Sequence, residues 1–168
     1  MATELYSLTV PVFTRGLTAL SAILDKAAAH AAETGADADA LLALRLIGDM
    51  NPFSKQVQTA CDSAKLCVSR LSGVAAPVMD DSEATLDQLK ARIRATLDYL
   101  ASVPRDAIDG QEGREVVLTF PGGEMKFLGQ AYVIDFALPN FYFHLTTAYA
   151  LLRADGVPLG KRDYLGGR

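Results

Sequence analysis

Apolar residues recur at helical spacing along most of this chain. Leu5, Leu8, Val12, Leu17, Leu20, Ile23, Leu24 and Ala27 fall three to five residues apart, which predicts one helix over 3–34 with a single oily face. Pro11 withdraws one internal N–H, so a kink is expected in the first turns. Gly35 supplies the stop. Residues 39–44 read as a short helix and 48–52 as a break. Asn51 and Pro52 then suit the cap and first position of a second helix. Its buried face would carry Phe53, Val57, Ala60, Cys61, Ala64, Val68 and Leu71, and Gly73 would close it. Beyond a linker at 74–78, Ser82 is the expected cap of a third helix. Leu86, Leu89, Ile93, Leu97 and Leu100 form its stripe, with Lys90, Arg92, Arg94 and Asp98 turned elsewhere; Pro104 ends it.

The period then changes. Residues 115–120, a Pro121-Gly122-Gly123 turn and residues 124–128 read as a small β-hairpin. A lone hairpin is marginal in water and must pack on the helices. The last helix is expected over 130–154 with a bend at Pro139, an inward face of Phe141, Leu145, Ala148, Leu151 and Leu152, and a cap at Gly156. Four long helices with short antiparallel connections, plus one hairpin inserted before the last, predict an all-α four-helix bundle in one domain over 1–168. Tyr142, Phe143 and Tyr149 make the last helix apolar on several faces, more than one core covers, so a homodimer is expected.

Half of the residues are hydrophobic (50%) and 21% are charged, a balance that excludes disorder. Sixteen basic against twenty acidic residues leave a net charge of −4, and the Lys161-Arg162 pair with Arg168 is too small for a phosphate-binding groove, so no nucleic-acid partner is expected. The start, Met1 to Leu5, lacks the basic and apolar regions of a secretory signal. The apolar run 141–152 falls short of the ~20 residues of a membrane span. Cys61 and Cys67, on one helix, would stand ~9 Å apart along its axis, beyond disulfide reach. Two reduced, buried thiols suit a cytoplasmic protein.

Asn140, His144 and Thr147 share one stripe of the last helix. The block from Asn140 to Arg153 (NFYFHLTTAYALLR), followed by Gly156 to Gly166 (GVPLGKRDYLG), closely resembles the C-terminal signature of a bacterial family of unknown function, number 1993. Pro11-Val12-Phe13, Arg15-Gly16-Leu17, Asp49-Met50, Gln56-Val57-Gln58 and Asp62 extend the resemblance over nearly the whole chain. That family in turn is similar to the DinB/YfiT-like bundles. The resemblance implies a divalent metal held by three histidines, one on the second helix and two spaced by four on the last. The last pair falls on Asn140 and His144, of which only the second is histidine; the second helix offers Gln56, Gln58 and Asp62 instead.

Two classes of function follow. One is an altered metal- or thiol-dependent enzyme acting on a small molecule, with His144 and Asn140 as metal ligands, or with His144 as a metal-free acid–base partnered by Tyr142 or Gln56. The other is a non-catalytic bundle that dimerises or takes a small ligand and needs no metal. In that case His144 is a core histidine bonded to a neighbour. Gln56, Tyr142 and Thr147 are the pocket candidates common to both.

Overall fold

The computed structural model describes residues 4–167, mostly helical with one hairpin. The first stretch is broken, not bent. α1 (Leu5–Leu8) and α2 (Val10–Thr34) meet at Thr9, whose φ of −117° and ψ of −83° leave the helical region. The buried Thr9 hydroxyl turns back onto the Leu5 carbonyl at 2.8 Å. The break places Pro11 in the first turn of α2, where no N–H is required. Leu5–Thr34 is long and apolar enough to cross a membrane by length and composition, a longer stretch than 141–152, yet half of its most apolar 18-residue window is buried within the fold. Leu17, Leu20, Ile23 and Leu24 go into the core as their spacing requires.

A 3₁₀ segment, Ala38–Ala43, stands where a short helix was expected. It fixes the direction of two helices. The Asp39 carboxylate accepts from the N–H of Leu86, and the Leu44 carbonyl just beyond the segment accepts from the N–H of Phe53. Those residues open α4 (Leu86–Ser102) and α3 (Phe53–Ser72), so both helices start at one end of the molecule and run parallel. This corrects the expected short antiparallel connection. Residues 73–85 must travel back the length of α3, ~30 Å, and thirteen extended residues reach ~43 Å. The crossover is therefore ample in length.

Both caps differ from expectation. Pro52 itself takes the cap position of α3, with no side-chain bond, and Asn51 lies one residue outside. At α4 the cap is Thr85 rather than Ser82: its hydroxyl accepts from the N–H of Gln88, and the Gln88 side chain returns to the N–H of Thr85. That reciprocal pair needs a Thr-x-x-Gln spacing, which Ser82 cannot offer.

Arg92 is the largest correction. Expected on the polar face of α4, it is buried, with its guanidinium bonded to Asp62, Asp81 and Glu83 and to the Asp80 carbonyl. Lys65 on the Pro77 carbonyl, Lys55 on Asp81, Gln58 on Glu83 and the Tyr99 hydroxyl on the Val74 carbonyl complete the fastening of the crossover along α3 and α4. Burial disfavours charge on Arg92 and Glu83 alike, and their mutual hydrogen bonds outweigh it, holding the guanidinium charged and the carboxyl below its ordinary range.

The hairpin pairs β1 (Glu115–Phe120) with β2 (Gly123–Leu128), Leu118 opposite Met125 and Val116 opposite Phe127. Val116 and Leu118 are buried; Phe120 and Met125, at the tip, remain exposed. The last helical run continues from α5 (Gly129–Ala131) through a π-helical turn (Tyr132–Ala137) into α6 (Leu138–Ala154). Pro139 lacks an N–H and its ring crowds the carbonyl four residues back. The widened turn directly upstream accommodates both, in place of a bend at the proline itself. Phe141, Leu145, Ala148, Leu151 and Leu152 are buried as expected. Tyr142 and Tyr149 pack on the core, and Tyr149 meets Tyr164 of α7 (Lys161–Tyr164) edge-on. Phe143 is 54% exposed.

Candidate functional site

α3 and α6 lie against each other in opposite directions, and three side-chain pairs mark the seam: Arg70 with Tyr132, Ser63 with Asn140, and Gln56 with His144. Gln56 is buried, and its amide nitrogen donates to the Asn51 carbonyl at 3.0 Å. A carbonyl can only accept, so the amide oxygen of Gln56 is the atom turned to His144, whose Nδ1 stands 2.7 Å away. The ring nitrogen facing that oxygen carries the proton, and Nε2 keeps its lone pair. Burial, and then the nearby Lys55 charge, push the His144 pKa below its ordinary 6.5, so the ring is neutral at neutral pH.

Of the residues singled out from sequence, Gln56 and His144 are brought together, and Asn140 sits one turn upstream. Asn140 does not face His144: its amide nitrogen donates to Ser63 at 2.8 Å. The Thr147 hydroxyl donates to the Phe143 carbonyl of its own helix. Tyr142 lies on the opposite side, beside Arg15, Gly16 and Tyr164. Asp62 is held by Arg92 and Lys65. Cys61 and Cys67 are free thiols with no exposure. Burial drives the Cys61 pKa up to about 12 and raises that of Cys67 as well, so neither is a thiolate.

The metal that the resemblance implies does not fit these residues. Zinc and its neighbours take imidazole, thiolate or carboxylate donors, three or four together. Here the seam offers one imidazole nitrogen, Nε2 of His144, and at 140 only a carboxamide, a poor ligand, and no group of three or more His, Cys, Asp or Glu is placed to hold a metal ion among the described residues.

A feature the sequence reading missed adjoins the seam. Between α3, the π turn with the start of α6, and the hairpin lies an open cleft of about 260 Å³. Thr59, Ser63, Arg70 and Asn140 give it a polar side, while Leu66, Phe136 and the hairpin residues Leu118, Phe120 and Met125 give it an oily one. The hairpin was expected to pack on the helices, yet nothing local showed that its tip would overhang α3. Arg70 reaches the Tyr132 hydroxyl at 2.8 Å and lies 5.8 Å from the centre of its ring.

Comparison with known proteins agrees with this architecture. The sequence profile of a domain of unknown function, DUF1993, matches residues 5–165. The chain is similar to a DinB family member protein from Shewanella denitrificans of known crystal structure, at 42% identity and a TM-score of 0.89, over 98% of this chain and 93% of that one. No functionally curated protein is significantly similar.

Proposed function

The chain belongs to the DUF1993 family of unknown function, and within that family we propose that it is a small-molecule-binding four-helix bundle that works without a resident metal. Its ligand site is the cleft between α3, α6 and the hairpin. The observation that carries this reading is the amphiphilic lining: an oily wall of Leu66, Phe136 and the hairpin tip faces hydroxyl, amide and guanidinium groups. Ligand sites combine a mostly apolar wall with a few convergent polar groups, and the volume suits a ligand smaller than a typical drug. In this reading His144 has a supporting role: with Gln56 it ties α6 to the entry of α3, one turn from Asn140 in the cleft. A larger groove of about 560 Å³ lies between α2 and the C-terminal tail, but its carboxylate, Asp163, is already paired with Lys26.

The chain has no tryptophan, so Leu66→Trp installs a single reporter in the cleft wall. Titration with 4-phenylbutanol, 4-phenylbutanamide and 4-phenylbutyrate is expected to shift its emission saturably for at least one probe, with or without chelator. A tryptophan placed by Val117→Trp, on the outer face of the hairpin, should not respond. A flat Leu66→Trp titration for every probe would refute the binding reading.

A further inference from the structure

We infer that the cleft selects a small amphiphilic carboxylate, its anionic end on Arg70 and its apolar body under the hairpin tip. This rests on the binding reading above. The first reason is an imbalance of charge. Among the described residues no carboxylate pairs with Arg70, whose guanidinium meets the hydroxyl and ring of Tyr132. A guanidinium has five donors in a planar fork, and one hydroxyl leaves most of them open. The fork is half-buried and aimed by its bond to Tyr132, so less orientational freedom is lost on binding than for a free surface arginine.

The second reason is what surrounds that cation. Asp62 also lines the cleft, but one of its oxygens bridges Arg92 and Lys65 at 2.8 and 3.0 Å, so its charge is offset from behind. One unneutralised guanidinium matches a monoanion. A doubly charged phosphate would leave a negative charge uncompensated beside Asp62, whereas a carboxylate can take both arms of the fork. The Thr59 and Ser63 hydroxyls already donate within α3, but Asn140 borders the same side and keeps one of its two amide hydrogens for a remaining lone pair.

The third reason is the opposite wall. Phe120 is 43% and Met125 36% exposed at the hairpin tip, alongside Leu66 and Phe136. These are costly surfaces to leave wet, and an aryl or short alkyl body would cover them.

Calorimetric titration of the wild-type protein with 4-phenylbutyrate and its neutral isostere 4-phenylbutanamide separates the claims. The carboxylate is expected to bind at least about tenfold more tightly. Arg70→Gln should remove that preference while leaving affinity for the amide unchanged, and Arg70→Lys should keep only part of it, retaining charge without the fork. Equal affinity of the two probes for the wild type overturns the inference and leaves the binding reading standing. So does a preference that survives Arg70→Gln. Failure of both probes to bind the wild type removes the reading and the inference together. The wild-type comparison needs no variant, so a folding defect in Arg70→Gln cannot obscure the result.

Discussion

His144 is neutral because three groups in a row leave it no alternative. Asn51 orients Gln56, Gln56 fixes the proton on Nδ1, and burial with Lys55 opposes a second proton. An unfolded histidine takes that proton near its ordinary pKa, the folded one only at lower pH. Between the two the unfolded chain binds more protons, so stability falls as pH drops through that window and levels off below it. Urea unfolding at about pH 7.5 and about pH 5.5, above the carboxylate range, should show a larger acid loss in the wild type than in His144→Gln. Equal losses would contradict the account. At this scale the sequence was half legible. The stripe of Asn140, His144 and Thr147 followed from spacing, and Gln56 was one of two partners considered for His144, whereas Ser63 was not foreseen for Asn140, since it comes from an element 77 residues away.

At the scale of elements, α2 and α6 approach closely at Gly16. A Cβ there would stand 2.7 Å from two ring carbons of Phe141, which itself lies edge-on to Phe13 with ring centres 4.9 Å apart. Helix propensity alone forecasts that Gly16→Ala stabilises by ~1 kcal/mol. The buried ring cannot yield cheaply, so overpacking should win and the variant lose ~1–3 kcal/mol. Thermal denaturation gives the sign directly, and a raised melting temperature would refute the tight approach. The oily faces of α2, α3, α4 and α6 were all readable from periodicity, because each face has one core to meet. Helix direction was not. Whether α4 returns beside α3 or runs with it depends on bonds from the 3₁₀ segment and the crossover, which leave no periodic trace. Arg92 escaped for the same reason: its charge marked it as polar surface, and the acidic partners that bury it lie on α3 and on the crossover.

For the molecule as a whole, the crossover is a strap, and Arg92 is its buckle. The guanidinium is nearly inaccessible, with 2% of its side chain exposed, while its three carboxylate partners keep 11–40%. Removing one partner from a buried charge cluster strands the others. Arg92→Leu should therefore cost ~3 kcal/mol and release residues 74–84 to limited proteolysis, with the first cuts inside that strap. Unchanged proteolysis would show that Lys65, Lys55 and Tyr99 hold it unaided.

The π turn at Tyr132–Ala137 has its own consequence. It stores one surplus residue, so losing any single residue there would restore a regular helix with its flanks still in phase, whereas losing one from the regular start of α6 would rotate everything upstream by ~100°. Tyr132 would swing away from Arg70 and the hairpin would lift off Leu66. Length changes in relatives are thus tolerable at the hairpin tip, in the tail and by one residue at the π turn, but the count from Leu138 to His144 is a gauge the fold has to keep.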